Sequence, residues 1–290
     1  MGYLKVGSRE YKVMLKTAKF TGDQQQLRKQ TARFWQDFNK AIADHVFDTD
    51  GALDEIDKKR SIVFWDTADH CLRTNGYVFR ERHDFSNGND DKQREVTLKF
   101  RHPDRYLAAG QDVTAADGIE EDAKFEEDIK APFQSIFSLS NKIPLAPEEN
   151  LAKVSDILRL FPHIKEGLGG CDPETTVTPV GNYKARELVI DGSDFQLGED
   201  PKVEAECAIV VWHDHAGGET DPEVVEFSFR YKNDDDEGEF IEAYATEVVR
   251  RAYAVFQILQ DTMGEWVDPQ SLTKTAFVYS QPQIVTPVAR

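Results

Sequence analysis

Residues 61–101 read SIVFWDTADHCLRTNGYVFRERHDFSNGNDDKQREVTLKFR, and this stretch holds three strand-like segments joined by two polar connections. In the second and third segments, 77–82 and 95–101, charged side chains recur at every second residue. Because successive side chains of a strand point to opposite faces, each segment collects its charges on one side and residues such as Val96, Leu98 and Phe100 on the other. Two such strands alone indicate a solvated sheet face. The pattern recurs in distant segments, which favours a charged interior instead.

The charge balance narrows the choice of partner. The chain of 290 residues carries 35 basic and 53 acidic residues, a net charge of -18. An acidic surface repels phosphates, so the composition argues against a general nucleic-acid binder and against a protein that docks on anionic membranes. Basic residues that converge in one place would therefore form a specific site for a small anionic ligand.

The cysteines and the hydropathy pattern bear on the compartment. Cys71, Cys171 and Cys207 are odd in number and far apart, which predicts no disulfide framework and suits a reducing cytoplasm. The sequence contains no run of 18 or more apolar residues, so no transmembrane helix is predicted. We therefore expect a cytoplasmic protein that does not associate with membranes.

Periodicity predicts strands and helices along one domain that spans residues 1–290. Strands are predicted at 10–20, 61–66, 77–82, 95–101, 184–190, 202–212 and 223–232, and helices at 23–46, 148–160 and 239–263. Turn residues at 75–76 and 86–89 flank the third strand. Residues 48–60 are predicted as a connection and 104–150 as an acidic, irregular insertion that lies over the body. The tail after Pro269 has no assignment.

Polar residues occupy alternate positions in six of the seven predicted strands. They are Glu10, Lys12 and Lys16; Arg80 and Arg82; Glu95, Lys99 and Arg101; Arg186; Glu204 and Glu206; and Glu226, Ser228, Arg230 and Lys232. The opposite faces are apolar and need the long amphipathic helices to cover them. The simplest arrangement is an α+β fold, an antiparallel β-barrel with helices packed on its outside and a polar lumen. Lysines and arginines are costly to desolvate there unless carboxylates, water or an anionic ligand accompany them.

The same stretch resembles a known family. The residues IVFWDT at 62–67, Leu72, Gly76, VFRER at 78–82 and VTLK at 96–99 resemble the CYTH domain of the triphosphate tunnel metalloenzymes. The resemblance implies an eight-stranded tunnel. It also implies that Arg80, Arg82 and Lys99 contact phosphates inside that tunnel. The match is close over these residues and loose over the rest of the chain.

The acidic positions depart from the family pattern. The family opens with Glu-x-Glu-x-Lys, whose carboxylates bind metal and whose lysine binds phosphate. This chain offers either Lys12-x-Met14-x-Lys16 or Glu10-x-Lys12-x-Met14, and neither register restores the pair. A Glu-x-Glu strand near the C-terminal end is half kept, at 226–228, whereas the intact pair at 204–206 lies in an earlier strand. Phosphate binding is therefore better supported than catalysis.

Three functions are compatible with these observations. The first is a metal-dependent hydrolase of an inorganic or organic triphosphate, in which Mg²⁺ or Mn²⁺ polarises the terminal phosphoryl group. Its predicted residues are Glu226 and Glu206 for catalysis; Glu10, Glu204, Glu206 and Glu226 for metal; and Lys12, Lys16, Arg80, Arg82, Lys99, Arg101, Arg186 and Arg230 for substrate. The second is a non-catalytic binding protein for a polyphosphate or phosphorylated ligand. The third is an interaction scaffold that uses residues 104–150 or the acidic exterior. Substrate identity and oligomeric state stay open.

Overall fold

The structure is a computed structural model that describes residues 4–85, 94–234 and 241–282. The predicted turn at 86–89 and the start of the predicted helix 239–263 lie outside the described residues. In the described ranges, no helix is long and apolar enough to cross a membrane.

Nine strands in the described part of the chain close into a ring. They are β1 (Ser8–Met14), β2 (Thr49–Thr67), β3 (Tyr77–Asp84), β4 (Arg94–His102), β5 (Asp122–Lys130), β6 (Gln134–Leu145), β7 (Val177–Glu199), β8 (Lys202–Asp214) and β9 (Val224–Lys232). Their order around the ring is β1-β5-β6-β4-β3-β2-β7-β8-β9. Neighbours are antiparallel except β1 and β5, which pair in parallel. The predicted barrel is confirmed, with one strand more than the resemblance implies.

Five helices of the described structure cover the outside of the ring, as predicted, and a sixth, the most C-terminal, packs against the inner faces of the strands. They are α1 (Gln24–Ile42), α2 (Cys71–Thr74), α3 (Arg105–Ala109), α4 (Val154–Leu160), α5 (Thr246–Thr262) and α6 (Lys274–Ser280), with 3-10 turns at Thr17–Lys19 and Pro162–Lys165. The first helix starts where Asp23 and Gln26 form a capping box, in which each side chain accepts a hydrogen bond from the other residue's backbone N–H.

Period-two alternation explains how the helices attach. Tyr11 of β1 and Phe229 of β9 stack at 4.7 Å on the outer face, and Phe256 of α5 meets Tyr11 edge-on at 5.1 Å. Phe34 of α1 packs against Phe227 of β9 at 4.8 Å. These aromatic side chains bury large areas, so they anchor both long helices to the strands on either side of the ring closure.

The opposite strand faces point into the ring. Met14 of β1 and Ile62 of β2 belong to strands that are not neighbours, yet they share one buried cluster with Trp212 of β8. This inner cluster fills one part of the hollow, and Val278 and Tyr279 of α6 complete it. The lumen is therefore not polar throughout: apolar residues and the C-terminal helix occupy one part, and charges line the remainder.

Residues 104–150 differ from the irregular insertion predicted for them. They contain α3 and two strands of the ring, β5 and β6, which pair with each other and connect β1 to β4. Along β5, Asp122, Glu126 and Asp128 alternate with Phe125 and Ile129, so the strand signal is present beneath the acidic composition.

Other strand boundaries also differ from the predicted ones. Residues 49–60 of the predicted connection 48–60 belong to the long strand β2, which pairs with β7 through several register shifts. β1 ends at Met14 instead of Phe20, because the chain enters a 3-10 turn. β7 also runs through Gly192, a residue type typical of turns. Hydrogen bonding to neighbouring strands extends β-structure beyond the segments in which the residue pattern predicts a strand.

The prediction of no disulfide is wrong. Cys71 and Cys171 are disulfide-bonded with their Cα atoms 5.9 Å apart, and Cys207 is free and buried. They lie 100 residues apart in sequence, a spacing that says nothing about their distance in the fold. The cysteines therefore no longer support a reducing compartment, and the cytoplasmic location stays a prediction.

Candidate functional site

The charges of β3 and β4 face the lumen. Arg80 and Arg82 lie opposite Phe64 and Ile62 of β2, two residues of the inner cluster. The neighbouring strand β4 continues the row on the same face with Glu95, Thr97, Lys99 and Arg101. The predicted orientation of these two strands is confirmed, and it follows from the apolar alternation of Phe79, Val96, Leu98 and Phe100, which pack outside.

Three arginines, Arg60, Arg80 and Arg82, form the arginine cluster of the tunnel. Arg60 donates to Glu187, and Arg82 Nη1 lies 3.4 Å from Glu95 Oε1. Within the part of the chain that the structure describes, Arg80 has no ion pair, and its Nε is buried without a hydrogen-bond partner. Burial lowers the pKa of Arg80 well below its usual range, and the like charges of Arg82 and Arg60 lower it further. This cluster carries more positive charge than the protein neutralises.

Glu187 is the carboxylate beside the arginine cluster. It is 2% exposed, and it accepts hydrogen bonds from Arg60 and, at 2.7 Å, from Trp212 Nε1. Burial alone would raise its pKa, but Arg60, Lys274 and Arg82 outweigh that effect and hold the pKa at about 2. Glu187 is therefore a charged counter-ion rather than a proton acceptor at neutral pH.

The lysine cluster lies on strands β1, β5 and β9 and on α6. We define it as Lys12 and Lys274 with their carboxylates Glu10, Asp128 and Glu226; Lys99 of β4 lies between this cluster and the arginine cluster, and burial lowers its pKa. Lys12 Nζ lies 2.8 Å from both Glu10 Oε2 and Asp128 Oδ1. Lys99 Nζ is 3.7 Å from Asp128 Oδ2, and Arg101 Nη2 is 3.8 Å from the same atom. Burial would raise the pKa of Asp128, but Lys12, Lys99 and Arg101 hold it far below its usual range.

The C-terminal helix completes the lysine cluster. Lys274 Nζ of α6 lies 2.8 Å from Glu226 Oε1, and the Glu226 side chain is 4% exposed. Thr275 Oγ1 accepts a hydrogen bond from Arg101 Nη1 at 3.0 Å. The sequence left this tail without an assignment, so neither contact was predicted.

Two predicted carboxylates lie away from these clusters. Glu206 is half-exposed and pairs with Arg230 at 2.6 Å and Lys232 at 3.1 Å, whereas Glu204 pairs with Lys202. Glu226 lies opposite Val210 of β8, four positions from Glu206, so the two carboxylates are offset along the strands by about 13 Å. The predicted catalytic pair and metal set do not converge. Arg230 lies with Glu206 at the tunnel mouth.

Two predicted phosphate ligands lie outside the tunnel. Lys16 follows the end of β1 and donates to the Gly264 carbonyl. Arg186 shares its strand face with Leu188, which packs in the outer core, and pairs with Glu219 of the exposed loop after β8. Adjacent residues of a strand point to opposite faces. Arg186 was predicted to face the tunnel only because it is polar, and that prediction is wrong.

The carboxylates of the tunnel do not fit a Mg²⁺ or Mn²⁺ site. Over residues 4–85, 94–234 and 241–282, no group of three acidic, histidine or cysteine residues is arranged to hold a metal ion. Hard divalent cations require several free oxygen ligands. The oxygens of Glu10, Asp128 and Glu226 are instead in contact with lysine ammonium groups.

Several residues of the site were missed. They are Arg60, Glu126, Asp128, Glu187 and Lys274. Arg60 and Asp128 lay in segments predicted to be irregular, although the alternation in 122–130 would have revealed the second. Glu187 has the parity opposite to that of Leu188 and Ile190, which marks it as inward-facing. No local signal identifies Lys274.

No protein-family model matches the chain, and no curated protein matches it in sequence. Among solved structures, the chain is similar to a protein from Hippeastrum named as a candidate adenylyl cyclase with a dominant triphosphatase activity. The identity is 12%, the TM-score is 0.44, and the match covers 95% of this chain and 96% of the other. It is also similar to a candidate adenylate cyclase from Bacillus halodurans, at 12% identity and TM-score 0.34 over 87% and 92% of the two chains. A third, from Vibrio parahaemolyticus, matches at 12% identity and TM-score 0.32 over 88% and 90%.

Proposed function

We propose that the protein binds a small molecule with a polyphosphate chain inside the tunnel, between the arginine and lysine clusters. The observation that carries the proposal is Arg80, an inward-facing arginine whose Nε is buried with no hydrogen-bond partner in residues 4–85, 94–234 and 241–282, and whose pKa is lowered by burial and by neighbouring cations. A group in such an environment gains most from an anion that enters the lumen.

Unpartnered polar atoms support the same site. Among the described residues, five buried polar atoms on lumen-facing positions have no hydrogen-bond partner: Arg80 Nε, Arg82 Nε, Arg101 Nε, Thr97 Oγ1 and Ser138 Oγ. Native structures leave few buried polar atoms unsatisfied, because each costs free energy. All five can donate, and phosphate oxygens are acceptors, so one polyanionic ligand would satisfy them together.

The spacing of the cations favours a chain of phosphates over a single anion. Arg82 and Arg80 lie opposite Glu95 and Thr97, and Lys99 and Arg101 follow on β4. One cation therefore occurs at every second position across about 20 Å of the tunnel wall. A compact anion would reach part of this row, whereas an extended polyphosphate would contact most of it.

Calorimetric titration with tripolyphosphate tests the proposal. We expect saturable, salt-sensitive binding to the parent protein, stronger than to inorganic phosphate. Arg80→Met should weaken it by about tenfold to a hundredfold, since a charge-assisted contact is lost. Arg186→Met is the matched control, because it removes an arginine outside the tunnel, and should leave the affinity unchanged. No heat with tripolyphosphate at low salt, or equal affinity for Arg80→Met, would contradict the proposal.

Metal-dependent hydrolysis of a triphosphate is the second candidate. The observation that favours it is the presence of three buried carboxylates, Glu10, Asp128 and Glu226, next to the cation row. Their lysine partners count against it. Phosphate release from tripolyphosphate, thiamine triphosphate and nucleoside triphosphates with added Mg²⁺ or Mn²⁺ would test it. Intact substrates, or release that is unchanged in Glu226→Gln, would exclude this candidate.

A further inference from the structure

Lys12 lies among three carboxylates: it contacts Glu10 and Asp128, and Glu226 lies opposite Met14, two positions further along β1. Its strand, β1, lies between β5 and β9 in the ring, and these three strands contribute Glu10, Asp128 and Glu226. The Lys12 ammonium lies 2.8 Å from an oxygen of each of the first two. Electrostatic attraction to Asp128, Glu10 and Glu226 outweighs burial and raises the pKa of Lys12. The amine is therefore a permanent cation at this position.

A second ammonium completes the neutralisation. Lys274 contacts Glu226 at 2.8 Å, and the Glu226 side chain is 4% exposed. Lys99 and Arg101 approach the free side of Asp128 to 3.7 and 3.8 Å. Each of the three carboxylates thus has a cation in contact with it, supplied by the chain itself. A phosphate chain that lies along Lys99 and Arg101 meets a wall whose negative charge is already compensated.

We infer that Lys12 supplies the positive charge that a divalent cation would otherwise bring to this wall, so that the tunnel selects the metal-free form of its polyphosphate ligand. This inference rests on the proposed function. A metal–polyphosphate complex gains little here, since the oxygens that would complete the coordination of its metal are in contact with ammonium groups. The arginine cluster and Lys99 instead bind the phosphate oxygens directly.

Tripolyphosphate titrations in EDTA and in millimolar Mg²⁺ test this inference. For the parent protein we expect affinity in EDTA at least equal to that in Mg²⁺, because the metal competes for the ligand. Lys12→Met keeps the length of the side chain and removes its charge, which leaves the carboxylates facing the phosphates. Its affinity in EDTA should fall by about tenfold or more, and Mg²⁺ should restore part of the loss. Lys12→Arg should retain metal-free binding, and Lys16→Met, outside the tunnel, is the matched control.

The outcomes separate this inference from the function on which it rests. Parent binding that occurs only with Mg²⁺ overturns the role of Lys12 but leaves polyphosphate binding intact. Equal affinities of the parent and a folded Lys12→Met in EDTA overturn it as well, with folding checked by circular dichroism. If Lys12→Met does not fold, the parent titrations decide alone. Absence of binding in both media refutes the polyphosphate proposal and this inference with it.

Discussion

The lysine cluster and the arginine cluster differ in whether their buried charges are paired. In the lysine cluster, Lys12 and Asp128 stabilise each other, and the pKa of the amine is raised while that of the carboxyl is lowered. In the arginine cluster, burial and neighbouring arginines lower the pKa of Arg80, and no carboxylate pairs with it in the described ranges. The difference separates charges that hold the fold together from charges that are available to a ligand. Substitutions in the two clusters should therefore have opposite consequences.

The largest effect is expected at Asp128. Asp128→Asn removes the carboxylate shared by Lys12, Lys99 and Arg101 and leaves buried cations uncompensated. The free energy of unfolding should fall by about 3–5 kcal/mol, measured by urea denaturation. Asp122→Asn, on the same strand face but half-exposed, should change it by less than about 0.5 kcal/mol. A stable Asp128→Asn would show that the lysine cluster is not structural.

The contribution of Glu187 to the stability of the fold depends on pH. Its pKa in the folded protein is about 2, below the ordinary value of 4.5, so folding favours the charged form. The stability it contributes is present above about pH 4.5 and is lost as the pH falls toward 2. Glu187→Gln should lower the free energy of unfolding by up to about 3 kcal/mol at neutral pH. The difference from the parent should narrow in acid. Glu219→Gln, in the exposed loop, should follow the parent, and a constant difference at every pH would contradict this assignment.

The smallest effect on stability is expected at Arg80. Because this arginine pairs with no carboxylate in the described structure, Arg80→Met should leave the free energy of unfolding unchanged or raise it by about 1 kcal/mol. The same denaturation experiment measures it. A loss of more than about 2 kcal/mol would mean that Arg80 supports the fold, and the contrast between the two clusters would disappear.

Local periodicity gave the part of the site that lies on regular strands. The inward orientation of Arg80, Arg82 and Lys99 could be predicted because each alternates with apolar residues that must face the helices. The same rule fails where polarity is taken as the sign of an inward position: Arg186 shares its face with Leu188 and points outward. Lys16 was misplaced because β1 ends at Met14.

Long-range pairing decided what the sequence could not. The parallel pairing of β1 with β5 joins Glu10 to Asp128 across more than a hundred residues, and no local pattern encodes that register. The bond between Cys71 and Cys171 and the contact of Lys274 with Glu226 have the same origin. The barrel could be predicted because the alternation of polar and apolar residues shows the two faces of each strand. The pairing of opposite charges depends instead on which strands become neighbours when the ring closes.

The docking of α6 has a consequence for the order in which the chain matures. Lys12 is made early in synthesis, but Lys274, the counter-ion of Glu226, follows all nine strands. A nascent chain, or a variant that stops before Thr273, would close its ring without the ammonium that contacts Glu226 and with Arg101 lacking Thr275. The ammonium that contacts Glu226 therefore comes from a segment that is synthesised after the nine strands of the described structure.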